Sequence, residues 1–434
     1  MSTNCQDLKS MIPQLVLATS ISLEIEKDLR EIFYRSRTFP VRASPSLPIM
    51  AADPIHRYER LIARQRFLLR LIGIDSYDPH FRIHLLTAGV VFLATLFLVI
   101  SLYDLYHFRA DRFNFVFVLI TIFFATIGIA RISVHLCYRG LLSTLLEETY
   151  RTYRAVRLSD TRQQRILHWY TRLFERAVLL YSATFMGTAV IGAFLPLGIY
   201  LATGERVLPY GVVIPYVNET SRQGYAMNYA YQVSCIVWTP PGLIASECMM
   251  FALVLNICIQ YDLLAVQLLD LDELIRRPKE DGTRSRLIAR QLRNIVRDQQ
   301  RLMRFIGNIE QSHTIMSGVE VLSLGMQIVI TLFVVQLSLW LPGLALIPTF
   351  SLQLFLFCLL GTVIEHKGDT FADAVYSVAW HQLSPADQRI FRLLLLVSQQ
   401  PKTLTCGRTT RVSLKLFVNM SQKFYSIFMM LRSF

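Results

Sequence analysis

The chain has 434 residues, 53% of them hydrophobic and only 17% charged, whereas soluble globular proteins carry about 25% charge. A soluble multidomain protein is therefore excluded. The net charge of +13, from 44 basic and 31 acidic residues, would point to nucleic acid only if the basic residues formed one patch, so their distribution along the chain decides the matter.

The first 82 residues contain no secretory signal, because Asp7 and Lys9 interrupt the start and the run from Met11 to Ile21 holds Pro13 and no cleavage pattern. This region is expected to stay cytoplasmic. A bilayer-spanning helix needs about 20 predominantly apolar residues, and seven stretches qualify. Ile83 to Tyr103, Phe113 to Ala130, Val178 to Leu201 and Gly343 to Ile364 contain no Asp, Glu, Lys or Arg. Tyr231 to Ile259 and Ile315 to Trp340 each carry one acid, Glu247 and Glu320. Val412 to Leu431, with Lys415 and Lys423, is the weakest on hydropathy. Pro240-Pro241 inside the fourth span is expected to kink it.

Basic residues accumulate in short cytoplasmic segments. With the N-terminus inside, 37 of the 44 Lys and Arg fall before the first span or in segments 131–177, 260–314 and 365–411. The outer loops hold four basic residues balanced by four acidic ones. The surplus of positive charge is thus a topological signal, and seven spans place the C-terminus outside. The sequon Asn218-Glu219-Thr220 lies in the long outer loop, the side on which Asn218 can be glycosylated. None of the seven cysteines falls in an outer loop and no CxxC pair exists, so neither an extracellular disulfide nor a zinc site is expected.

The cytoplasmic segments read as helices. Between 284 and 310, Leu287, Ile288, Leu292, Ile295, Val296, Met303, Ile306 and Ile309 recur every three or four residues with six arginines between them, the pattern of an amphipathic helix extending a membrane helix into the cytosol. Ser384 can cap a helix with Pro385 at its first position and Asp387 completing a capping box. That helix should run to about Gln399, and its Ile390, Leu393, Leu394, Val397 stripe suits burial against copies of itself. Glu365, His366, Asp369 and Asp373 read as a polar helix end rather than a metal site.

In the last span, Lys415, Asn419, Gln422 and Ser426 recur at steps of four, three and four and form one polar stripe. Leu414, Phe417, Phe424, Phe428 and Leu431 lie opposite. Polar residues at membrane depth face protein or water. The stripe therefore either packs against other helices of the chain or lines a channel shared by several subunits, with Phe428 and Leu431 as a hydrophobic gate near the outer end. Glu320 and Lys415, at similar inner depth, are expected to form an ion pair.

The C-terminal third carries Ala374-Val375-Tyr376, Trp380, Leu383-Ser384-Pro385, the Leu393 to Leu396 run, Ser398-Gln399-Gln400-Pro401, Leu404-Thr405, Gly407 and Tyr425-Ser426, with Leu71-Ile72-Gly73-Ile74 before the first span. In this order and spacing the chain resembles the insect odorant receptor family. Residues 1–52 match nothing in it. The resemblance implies an all-α membrane protein with seven transmembrane helices, an intracellular N-terminus, an extracellular C-terminus, a cytoplasmic helical anchor domain and a pore-lining last helix. Its regions would be a cytoplasmic 1–82, six spans in 83–364 with cytoplasmic extensions 131–177 and 260–314, an anchor region 365–411, and the last span with the C-terminus in 412–434.

The implied function is that of an odorant-gated, nonselective cation channel subunit in the plasma membrane of olfactory sensory neuron dendrites. It would bind a small volatile odorant, use no cofactor or nucleic acid, and assemble as a heterotetramer with the odorant receptor co-receptor. The chain is not itself expected to be the co-receptor, whose second cytoplasmic loop is longer. Arg411 and Lys415 near the inner mouth would repel cations if present in four copies, which favours a mixed tetramer. The family's pocket depth corresponds here to Phe117, Thr121, Thr188, Ile191, Gly192, Leu195, Tyr231, Ile236, Val329 and Phe333. A G-protein-coupled receptor would need the reverse orientation, an Asp-Arg-Tyr triplet and an Asn-Pro-x-x-Tyr element, which are missing. A gustatory receptor would carry Thr-Tyr-x5-Gln-Phe in the last span, where Phe424-Tyr425-Ser426 stands instead. Neither a transporter's internal symmetry nor an enzyme's catalytic cluster is visible.

Overall fold

The computed structural model describes residues 54–157, 161–218, 221–277, 282–337, 341–400 and 402–432, with the side chains of a few helix-end residues left out. These residues form ten α-helices and one small hairpin. In chain order they are α1 (Pro54–Leu71), α2 (Leu85–His107), α3 (Arg112–Cys137), α4 (Arg139–Arg157), α5 (Thr161–Thr203), α6 (Arg222–Arg276), α7 (Gly282–Leu337) and α8 (Leu341–Ser377). A 3-10 turn (Trp380–Gln382), α9 (Pro385–Ser398), strands β1 (Thr405–Cys406) and β2 (Thr410–Arg411), and α10 (Leu414–Arg432) follow.

Six helices are long and apolar enough to cross a membrane: α2, α3, α5, α6, α7 and α8. They cover the first six expected spans, except that α2 begins at Leu85 rather than Ile83 and that residues 338–340 of the fifth span lie outside the described residues. α10 has 19 residues, about 28 Å at 1.5 Å per residue, but its polar stripe keeps it out of that group. α6 and α7, with 55 and 56 residues, are each about 80 Å long. A bilayer core of about 30 Å accounts for less than half of that, so each membrane helix continues well beyond it as one rigid rod.

Helix starts follow the sequence. The Asp111 carboxylate accepts from the backbone N–H groups of Phe113 and Asn114 at the head of α3, and Ser221 Oγ accepts from Gly224 N–H at the head of α6. Ser384 caps α9 as expected, accepting from Asp387 N–H at 3.2 Å while its hydroxyl donates to the Asp387 carboxylate at 2.7 Å. α6 stays helical through Pro240 and Pro241.

α6 is the axis of the bundle. Cys248, Met249, Leu253, Val254, Ile257 and Cys258 are wholly buried, so its unbroken apolar run meets protein on every side. α2 is the opposite case, with Leu85, Phe92, Leu93, Val99 and Leu102 exposed, the surface an apolar helix offers to lipid. In α7 the amphipathic reading holds: Leu292, Ile295, Ile306 and Ile309 are buried, while Arg286, Arg290, Arg293, Arg297, Arg301 and Arg304 are exposed. On α9, Phe391 and Leu394 turn inward, and Leu393, Leu396 and Val397 are exposed.

Away from the loop that joins α5 to α6, the long helices are locked together by a polar clamp. Lys367 on α8 pairs with Asp262 on α6 at 2.6 Å, and the Tyr170 hydroxyl of α5 donates to the same carboxylate at 2.7 Å. Burial, and then the charge of Asp262, push the Tyr170 hydroxyl well above its usual pKa, so it remains a donor. Lys367→Met leaves Asp262 without its cation and is expected to cost about 2–3 kcal/mol, seen as a lower thermal unfolding midpoint of the purified protein. Tyr170→Phe should cost less, because the ion pair survives.

Candidate functional site

Residues within 86–97 of α2, 120–135 of α3, 185–192 of α5, 231–246 of α6 and 346–350 of α8, with Leu69, Ile72 and Ile74 at the end of α1, line a cavity of about 410 Å³, within the 300–1,000 Å³ of ordinary small-molecule pockets. Its walls are apolar and aromatic, with Val90, Phe97, Phe124, Trp238, Leu243 and Phe350 prominent. The loop between α5 and α6 borders one end, where Pro209 and Tyr210 join the lining. Three buried polar side chains hold that loop through its backbone. Gln232 accepts from Tyr210 N–H at 2.8 Å and donates to the Val212 carbonyl at 2.6 Å, Asn228 accepts from Ile214 N–H at 2.7 Å, and Asp104 accepts from Val213 N–H at 2.8 Å.

Of the residues expected at pocket depth, Thr121, Thr188, Gly192, Tyr231 and Ile236 line this cavity. Thr188 shares a hydroxyl hydrogen bond of 2.6 Å with Thr349 of α8. The others lie elsewhere on their helices. Ile191 is 42% exposed on the outward face of α5, and Leu195, one turn further, is also outside the lining. Phe117 packs with Ile120, Ile330 and Val334, Val329 is buried in the main core, and Phe333 is half-buried away from the cavity. Depth is legible in a sequence, but rotation about the helix axis is not.

The end of the cavity away from that loop holds a group that depth arguments overlooked. Arg131 of α3 is 3% exposed and lines the cavity. It pairs with both Glu247 of α6 and Glu320 of α7, each 1% exposed, and Gln353 of α8 donates to Glu320 at 2.6 Å. Four membrane helices thus meet in one buried polar cluster. The expected Glu320–Lys415 pair does not form, because Glu320 faces the bundle interior while Lys415 is exposed on α10. Beside the cluster, His135 is held between Ser76 (2.7 Å) and Ser246 (3.2 Å). The signal that could have revealed Arg131 was a lone arginine between an uncharged span and two spans carrying one acid each.

On α10, Lys415, Asn419, Gln422 and Ser426 are all exposed, so the stripe does not pack against the chain's own helices. Leu414, Phe417, Phe424 and Phe428 are buried on the other side. Phe428, at 5% exposure, therefore faces the bundle rather than the stripe, since a residue two positions from Ser426 is turned about 200° from it. The side chain of Leu431 lies outside the described residues. So do Glu219 and Thr220 of the sequon, whose Asn218 is exposed. Among the described residues, no group of three His, Cys, Asp or Glu converges to hold a metal.

α10 is tied to the other helices at its start. Leu414 N–H donates to Thr362 Oγ1 at 2.7 Å, and the hairpin before it is pinned by Gly407 N–H on the Thr314 carbonyl at 2.8 Å and by Thr405 N–H on Glu310 at 2.9 Å. Higher up, Gly325 of α7 leaves the space that the Phe424 ring occupies, since a Cβ there would lie 1.8 Å from the ring.

A family model described as 7tm Odorant receptor matches residues 113–425. The chain is similar to odorant receptor 10 of Aedes albopictus, 25% identical over 68% of this chain and 77% of that protein, and to putative odorant receptor 83c of Drosophila melanogaster, 21% identical over 55% of this chain. The match spans 62% of the length of the latter. Its fold resembles the olfactory receptor OR5 of Machilis hrabei solved in complex with eugenol, with a TM-score of 0.71 at 15% identity, covering 88% of this chain and 99% of that one.

Proposed function

The chain belongs to the 7tm odorant receptor family, and we propose that it is the odorant-binding subunit of a ligand-gated, nonselective cation channel assembled with the odorant receptor co-receptor. Membership makes it a receptor protein rather than an enzyme. The observation that carries the channel reading is the fully exposed polar stripe of α10 on a chain whose other apolar helices are long enough to span a bilayer. Symmetric apposition of subunits would bring such stripes together around water.

In this reading the N-terminus, α4, the start of α5, the end of α6, the start of α7, the end of α8 and α9 lie in the cytosol, α10 is the seventh span, and Asn218 is a glycan acceptor outside. Lys415 and the neighbouring Arg411 lie at the inner mouth, where one or two copies are compatible with cation flow and four are not. Phe428, turned inward, holds α10 in place, and Leu431 is the remaining apolar candidate for the outer constriction. The cavity takes the odorant. α8 carries the consequence to the pore helix: Thr349 and Phe350 line the cavity, and Gly361, twelve residues or about 18 Å further along the same helix, meets Val412.

The test is electrical. Cells expressing the chain with the co-receptor, presented with a broad panel of volatiles, should show an odorant-evoked cation current that persists under G-protein blockade. Cells expressing either subunit alone should not respond to the same odorant. A response abolished by G-protein blockade would overturn the channel reading.

A further inference from the structure

Three residues of the cavity lining are also exposed on the surface of the bundle: Leu86 (46%) and Leu93 (55%) on α2 and Trp238 (47%) on α6. On the far wall, Ile120 and Thr121 of α3 are 3% exposed and Phe350 of α8 is 2% exposed. Facing the cavity alone thus leaves a side chain nearly inaccessible, so a residue that lines it and is half exposed stands at a mouth. That mouth lies between α2 and α6. α2 packs along α3 and, among the described residues, against no other helix to a comparable extent. A Cβ added at Gly89, within the lining stripe of α2, would meet nothing within 4 Å.

The gap is bounded at both ends. At one end the turn after α1 bridges it: Thr87 of α2 donates to the Gly73 carbonyl, and Ile72 lies over Gly242 of α6, where a Cβ would come within 2.8 Å of it. At the other end the loop after α5 is held from both sides, by Asp104 of α2 and by Asn228 and Gln232 of α6. From Thr87 to Asp104, α2 rises about 26 Å, which fits within a bilayer core of about 30 Å. Leu93 lies about 9 Å beyond Thr87 and Trp238 about 6 Å from Gly242 along their helices, so the two stand at similar height in the gap.

We propose that this gap is a lateral portal through which ligand enters the cavity from the hydrocarbon of the bilayer, with Leu93 and Trp238 as its threshold. The proposal rests on the reading of the cavity as the odorant site. Entry from water would have to lift the loop off four hydrogen bonds to Asp104, Asn228 and Gln232, all buried. The lateral route needs no such opening, and its rim is apolar. It also selects ligands before they touch the cavity walls. A neutral, lipophilic volatile is concentrated in the bilayer and arrives from there, whereas an ionised amine or carboxylate is costly to place at bilayer depth and is turned away.

The test uses purified full-length protein in lipid nanodiscs and 19F exchange NMR, with 4-fluoroanisole, 4-fluoroacetophenone and 4-fluorotoluene as probes. Aqueous, bilayer-dissolved and bound probe give separate signals. Saturating the bilayer signal should attenuate the bound signal directly, while saturating the aqueous signal should act only through the bilayer pool. Leu93→Trp narrows the threshold and raises the barrier common to entry and exit, so both rates should fall about fivefold or more while Kd stays within about twofold. Leu93→Ala should raise both rates. Because Leu93 is exposed, neither change disturbs the packed interior. Independently of these variants, lipids brominated midway along their acyl chains should quench the part of the tryptophan emission that Trp238→Phe removes.

Direct exchange of the bound signal with the aqueous pool, unchanged rates in Leu93→Trp, unquenched Trp238 emission, or faster entry in Asp104→Leu than in Leu93→Ala would each overturn the portal while leaving the cavity as the odorant site. Binding by none of the probes, or binding that survives Gly192→Phe, which fills the cavity, would overturn the cavity reading and the portal with it.

Discussion

Arg131→Met is expected to be among the most damaging single substitutions in the bundle. It leaves two carboxylates, each 1% exposed, facing one another without a cation in the middle of four packed helices. Removing one partner of a buried ion pair costs about 3–5 kcal/mol, because the remaining charge stays desolvated. Whole-protein stabilities of about 5–15 kcal/mol leave little margin against that loss. The measurement is the monodisperse fraction and thermal midpoint of detergent-solubilised protein, both of which should fall sharply. The physical cause is checked by repair: Glu247→Gln and Glu320→Gln, added to Arg131→Met, remove the stranded charges and should recover most of the midpoint. A triple variant no more stable than Arg131→Met would show that packing of the guanidinium, rather than its charge, holds the helices.

Gly361→Ala is expected to abolish gating while sparing delivery to the cell surface. A Cβ at position 361 would lie 2.2 Å from the carbonyl oxygen of Val412 and 2.7 Å from its carbonyl carbon. The obstruction is backbone, so no side-chain rotation relieves it, and the start of α10 must move by about 1 Å against a close-packed interior. That movement would strain the Leu414 N–H bond to Thr362, beside the first residues of the polar stripe. Odorant-evoked current should drop more than tenfold at unchanged surface labelling. Gly187→Ala and Gly198→Ala, whose added Cβ atoms meet nothing within 4 Å and which lie outside the cavity lining, serve as controls and should respond nearly as the unsubstituted chain does. If Gly361→Ala conducts normally, the contact between α8 and α10 is not the route by which the cavity reaches the pore helix.

Features that depend on neighbours along the chain were legible without a structure. The first six spans, the Ser384 cap, the amphipathic face of α7 and the polar stripe of α10 all follow from periodicities of a few residues, because each is set by a local rise and rotation per residue. The family motif was legible for a similar reason, as a fixed order of residue types in the C-terminal third. The hinge between local and global reading is visible in the stripe: its four members could be grouped on one face from the sequence, but only their exposure decides between an internal contact and a surface left for other subunits.

What the tertiary structure alone decided is which way each helix is turned and what it meets. Two residues one step apart in α5, Ile191 and Gly192, lie at the same depth, yet one is exposed on the outside and the other lines the cavity. Glu320 is paired with an arginine 189 positions away rather than with the lysine that hydropathy placed beside it. Helix rotation is fixed by the packing of side chains distant in sequence, and a buried charge takes whichever partner that packing brings within reach. The sequence by itself determined that this is a membrane-spanning helical receptor of a known family and which faces are apolar. The three-dimensional packing determined where the cavity lies, and that Arg131, paired with two buried acids, is part of its lining.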